Sequence, residues 1–216
     1  MRITQVYISL QDKSFDPLTR GKYQLLANYL SLTISSWIAQ KKLDLGNFNR
    51  IVFEEGDQDD FSVVGNNALV VCIVKEFTSF EDLQSQQQVH SYFLRKYLDG
   101  FGRFEKHYGV QLVGELDGFL DSYFSEEYAY RKKLASRQVH GKTYAVIGKY
   151  TYDSYSLIVE QSTKQLGVLR REAIYSAPPD PFVVRYDVHS VKFEAAGIRV
   201  TSTAGGETAF FPLESP

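Results

Sequence analysis

The feature that most constrains the fold is a change of hydrophobic period partway along the chain. Before about residue 138 the chain is mixed: apolar stripes at three- and four-residue steps, the mark of helices with one buried face, alternate with a few short strands. After Lys142 the period drops to two. Tyr144–Tyr150, Ser156–Glu160, Leu166–Arg170, Phe182–Tyr186, Val188–Glu194, Ile198–Thr203 and Thr208–Phe211 read as strands. Turn residues separate them: Ser162-Thr-Lys, Pro178-Pro-Asp-Pro181, Gly197 and Gly205-Gly206. Short strands with a turn every eight to twelve residues predict an antiparallel meander. Helices and strands that segregate along one chain imply an α+β fold. The expectation is one domain over residues 1–216, weakly divided into a helix-rich part (1–138) and an all-β part (139–216).

Within the first part, Val6, Ile8 and Leu10 share one face of a strand over residues 3–10. A helix over 22–41 carries the stripe Leu26, Tyr29, Leu30, Thr33, Trp37 and Ile38. Ile51–Glu54 reads as a short strand running into the acidic loop Glu54–Asp60. Phe61–Val64, the turn at Gly65-Asn-Asn67 and Ala68–Val74 read as a hairpin whose second strand is buried on both faces. Ser79-Phe-Glu-Asp82 resembles a helix cap, opening a helix that reaches about Tyr108, with Gly100 and Gly102 weakening its end. Leu116, Phe119, Leu120, Tyr123 and Phe124 mark another short helix. Ser125 is placed to cap a further one, with Glu126 and Glu127 first and Arg131, Lys132 and Lys133 last, an order that suits the helix dipole.

The chemistry-bearing motifs are mostly missing. The four histidines, His90, His107, His140 and His189, show no metal-ligand spacing, and the sequence has no GxSxG, P-loop or GxGxxG after a strand. Cys72, the one cysteine, lies in an apolar run and reads as a small hydrophobe; it permits no intramolecular disulfide. Asp57-Gln-Asp-Asp60 offers carboxylates to a hard cation, but Phe61 follows where further oxygen ligands belong. Asp117 and Asp121, four apart, share a helix face as paired carboxylates do, and as ordinary solvated pairs also do. No metal or cofactor is expected. The N-terminus alternates polar and apolar residues without a signal-peptide core, and no apolar run approaches the length of a membrane span. The expected location is the cytoplasm, away from membranes.

Charge is unevenly spread. The net charge is −2. Residues 1–130 hold 12 basic and 18 acidic residues, a balance of −6; residues 131–216 hold 12 and 8, a balance of +4. Two windows contain acids and no Lys or Arg. The first, between Arg50 and Lys75, holds Glu54, Glu55, Asp57, Asp59 and Asp60. The second, between Lys106 and Arg131, holds Glu115, Asp117, Asp121, Glu126 and Glu127. Tyr128 and Tyr130 adjoin the second window and are expected at the surface. Tyrosine gives large contact area at low entropy cost.

These observations point to a non-enzymatic protein-binding module. Its concrete form is an immunity-type inhibitor that masks a basic toxin enzyme with an acidic, tyrosine-bearing face. Such a face repels nucleic acid phosphates and speeds the approach of a basic protein. Competing readings are an enzyme or small-ligand protein whose site is assembled from sequence-distant residues, and stacking of single-stranded nucleic acid on tyrosines near Arg131, Lys132, Lys133, Arg137, Lys142 and Lys149. The acidic windows argue against the last.

Overall fold

A computed structural model describes residues 1–10, 15–56, 61–65, 67–74 and 80–213. The protein is α+β and divides into two compact units, Met1–Ala129 and Tyr130–Pro216. The change of character falls earlier than the periodicity places it, because the first strand of the second unit begins at Tyr130.

The first unit is built on strand β1 (Gln5–Leu10), helix α1 (Pro17–Lys41), strands β2 (Arg50–Gly56), β3 (Phe61–Val64) and β4 (Ala68–Val74), and helices α2 (Gln86–Tyr108) and α3 (Val113–Tyr123). The sheet order is β1-β2-β4-β3. β1, β2 and β4 run parallel and β3 pairs antiparallel with β4, so the hairpin read around Gly65 forms one edge. A parallel β1–β2 pair needs a crossover, and α1 supplies it.

α1 starts a turn before its apolar stripe. The Asp16 carboxylate accepts the Leu18 and Thr19 amides and Pro17 takes the first helical position, both standard start signals. α2 opens at Gln86, not near Ser79, which lies outside the described residues. Ser85 and Gln88 form a reciprocal capping box there, while Phe80–Asp82 makes only a 3-10 turn. Gly100 and Gly102 do not end α2; it runs to Tyr108 and closes on Gly109 at φ 68°.

The second unit carries β5 (Tyr130–Val139), β6 (Lys142–Tyr150), β7 (Tyr155–Thr163) and β8 (Gly167–Ala177), then α4 (Pro181–Asp187), β9 (Ser190–Phe193), β10 (Gly197–Thr201) and β11 (Glu207–Pro212). β5-β6-β7-β8 is the expected antiparallel meander, and β11-β10-β9 forms a second antiparallel sheet. Tyr144, Val146, Tyr155, Leu157 and Val159 from the first sheet meet Ile198, Val200 and Phe211 from the second in one core.

Two expectations fail here. The segment after Ser125 is not a helix: Arg131–Lys133 lie in β5, paired to Lys149–Ile147, and the Ser125 hydroxyl donates back to the Ser122 carbonyl at the end of α3. The cross-strand hydrogen bonds of a ten-residue edge override a favourable charge order. Phe182–Tyr186 is not a strand either. Asp180 caps the amides of Phe182 and Val183, and Pro181 starts the helical turn of α4.

Candidate functional site

Of the first acidic window only Glu54 and Glu55 are among the described residues, and they turn to opposite faces of β2. Ile51, Phe53 and Glu55 alternate onto one face of β2, and that face is covered by helices. Glu55 is therefore buried, at 6% exposure, and is removed from any docking surface. Its carboxylate pairs with the Lys96 ammonium of α2 at 2.9 Å and accepts a hydrogen bond from the Tyr23 hydroxyl of α1. The Tyr92 hydroxyl approaches at 3.5 Å, and its ring lies 4.7 Å below the Lys96 ammonium. Burial, then the Glu55 charge, holds the Tyr23 phenol far above its usual range, so it stays a donor. Four sequence-distant residues thus form a polar cluster at the carboxyl end of β2. A buried pair of this kind stabilises only while complete.

Glu54 points to the opposite face, half-buried, and burial raises its carboxyl. Asp57, Asp59 and Asp60, whose carboxylates the sequence offers to a hard cation without the further ligands one needs, lie outside the described residues. Cys72 is half-buried, not fully enclosed. Among the described residues, no three of His, Cys, Asp and Glu gather as metal ligands would.

The second window does form a face. Leu116 and Leu120 of α3 turn inward, and Phe119 stacks on Trp37 with centroids 6.2 Å apart. The opposite side of the helix exposes Gly114, Glu115, Asp117, Gly118, Asp121 and Ser122, with Glu126 exposed just beyond. Glu115 pairs with Lys41, an exposed contact of small energetic weight. Among the described residues, no ion pair engages Asp117, Asp121 or Glu126. Neither Gly114 nor Gly118 is required by internal packing: a Cβ at either meets no atom within 4 Å.

Tyr128 and Tyr130 are half-buried, contrary to the expected display. The Tyr128 ring packs on His90 at 4.3 Å and its carbonyl accepts from the Gln86 side chain at 2.8 Å. Tyr130 begins β5, with its ring beside Tyr150. Glu127 is half-buried as well.

His90, beneath this segment, is enclosed by Tyr29, Phe124 and Tyr128, and the Tyr29 hydroxyl sits 2.9 Å from its Nδ1. Burial pulls the imidazole down to about 4, against the opposing pull of the Asp121 carboxylate. The ring is neutral at pH 7 and serves as a packed aromatic.

Sequence reading missed Lys96, Tyr23, Tyr92 and the two glycines of α3. The alternation Ile51, Phe53, Glu55 was the available signal for the inward turn of Glu55. The position of Lys96, between Phe93 and Gly100 on the buried side of α2, was the signal for its partner. No helix among the described residues is long and apolar enough to cross a membrane. No family model, curated protein or solved structure matches this chain.

Proposed function

We propose that this chain is a non-enzymatic protein-binding module that receives a basic partner on the outward face of α3. The observation that carries the reading is the composition of that face: Asp117 and Asp121 unpaired by cations among the described residues, set beside Gly114 and Gly118. Each glycine costs the helix about 1 kcal/mol relative to alanine, and no internal contact explains either one. A partner approaching close to the helix backbone does explain them, because glycine admits such an approach. The carboxylates alongside favour Lys and Arg and disfavour phosphate. The most concrete form is an immunity-type inhibitor that covers a basic toxin enzyme acting on nucleic acid, and a cytoplasmic location belongs to the same reading.

The test is affinity capture from a lysate of the source cells at low ionic strength, with the bound proteins identified. A basic protein should be retained, then lost with Asp117→Lys/Asp121→Lys/Glu126→Lys and in about 1 M salt, where the Debye length falls to about 3 Å. Gly114→Ala and Gly118→Ala should each stabilise the free chain by about 0.5–1 kcal/mol while weakening capture. Retention that ignores the charge reversal, or alanine variants that bind as well as the parent, would remove α3 as the docking face.

A further inference from the structure

The inner face of the meander is incompletely filled where β5 meets α4. A half-open pocket of about 130 Å³ lies there, lined among others by the apolar Leu134, Val184 and Val188 and by the polar Lys132, Arg185 and Tyr155, with Lys132, Leu134 and Arg185 exposed. Its shape follows from the backbone. Gly148 of β6 stands opposite Lys132 in the β5–β6 register. A Cβ on Gly148 would fall 2.8 Å from the Tyr155 hydroxyl and 3.1 Å from its Cε2, so the Tyr155 ring from β7 lies across this glycine. The ring thereby carries its hydroxyl to the strand position that Lys132 faces.

The irregularity between Lys133 and Ala135 inserts Leu134 and reverses the parity of β5. Lys132 shares the inward side with the core-facing residues of β6, opposite Gly148. Past the bulge, Arg137 takes that side instead and donates to the Phe193 carbonyl of β9. The bulge therefore decides that a cation, Lys132, borders the cavity.

The polar groups here are unspent. Tyr155 is 1% exposed, yet its hydroxyl makes no hydrogen bond among the described residues. The hydroxyl is not fully enclosed, so it opens onto the pocket and can donate to an acceptor placed there. Lys132 and Arg185 have no carboxylate partner among the described residues. Asp180, whose charge is felt at Tyr150, is committed to the Phe182 and Val183 amides. Burial holds the Tyr155 phenol above its usual range and pushes Tyr150, also on the cavity wall, up to about 12, so both are donors at pH 7.

We propose that this cavity binds a short aliphatic monocarboxylate, with the carboxylate held by Lys132, Arg185 and the Tyr155 hydroxyl and the chain laid against Leu134, Val184 and Val188. Two cations and a phenol lining one pocket match a single oxyanion. The apolar walls give a hydrocarbon tail contacts that inorganic phosphate cannot use. At roughly 30 Å³ per liquid water the space holds about four waters, and covalently bonded atoms pack more closely than separate waters, so a small acid such as butyrate suits it.

The alternative role for Lys132 is edge protection, since an inward charge on an edge strand discourages pairing with other chains. That role requires no ligand. The experiment is an NMR titration of the full chain with sodium butyrate, with its neutral isostere butyramide and with inorganic phosphate. Butyrate should saturate with a dissociation constant of about 1 mM or tighter. Butyramide and phosphate should bind about tenfold more weakly or worse, and Lys132→Met and Tyr155→Phe should each weaken butyrate about tenfold. Arg185→Met, at an exposed position, gives the same readout should Tyr155→Phe fail to fold. No saturation by about 20 mM butyrate, equal binding of butyramide or phosphate, or indifference to Lys132→Met and Arg185→Met would overturn the proposal.

Discussion

Gly100 of α2 lies against the ring of Phe53 in β2, so closely that a Cβ built on it would fall 2.3 Å from Phe53 Cδ1. Phe53 is fully buried and packs edge-on against Tyr97 and Phe101, so the ring has no room to retreat. The glycine sets the distance between helix and sheet.

Gly100→Ala should therefore destabilise the protein by about 2 kcal/mol. Overpacking costs roughly 1–3 kcal/mol, which outweighs the gain of about 1 kcal/mol in helix propensity. Gly102, two residues on, meets nothing within 4 Å, and Gly102→Ala should stabilise by about 0.5–1 kcal/mol. Urea unfolding of the two variants gives opposite signs on this account. Two variants shifted in the same direction would refute it.

The Glu55–Lys96 pair should behave as one unit. Lys96→Met leaves a buried carboxylate with only tyrosine hydroxyls around it, and the expected loss is about 3–5 kcal/mol. Glu55→Gln/Lys96→Met keeps an acceptor for Tyr23 and removes both charges, and it should recover most of that loss. A double-mutant cycle by denaturant unfolding measures the coupling. Losses that simply add would mean that the two charges do not depend on each other.

These two cases show where the fold was legible and where it was not. Period carried the element types: β1, the β3–β4 hairpin, α3 and the meander all follow from apolar spacing that burial enforces. Local charge and cap patterns misled where long-range pairing decided. Glu126, Glu127 and the basic run Arg131–Lys133 satisfy a helix dipole, yet β5 forms because Lys142–Tyr150 offers a complete strand partner. Phe182–Tyr186 alternates like a strand, yet the Asp180–Pro181 start signal fixes a helical turn. Gly100 read as a helix weakener because its reason lies in Phe53, far away in sequence. The acidic face was half legible. Helical spacing put Asp117 and Asp121 on one face, whereas the strand parity that buries Glu55 is hidden among its acidic neighbours.

His90 supplies a pH dependence with a definite sign. In the folded chain its imidazole titrates near 4 because it is buried, at 7% exposure, among Tyr29, Phe124 and Tyr128; in the unfolded chain it titrates near 6.5. Between those values the unfolded state binds the extra proton, so stability falls as pH drops. The contribution is fully present above about pH 6.5 and lost progressively towards pH 4, to a limit of about 3 kcal/mol. Protonation makes both ring nitrogens donors, so the contact with Tyr29 then runs only from Nδ1 to the phenol oxygen. Urea unfolding of the parent and His90→Asn across pH 4–7 separates this group from the other titrating residues. The parent curve should fall more steeply than that of the variant, and parallel curves would exclude His90 as the cause. Asp121→Asn removes the carboxylate that favours the charged ring, so the His90 NMR titration should move to still lower pH and the loss of stability should extend with it.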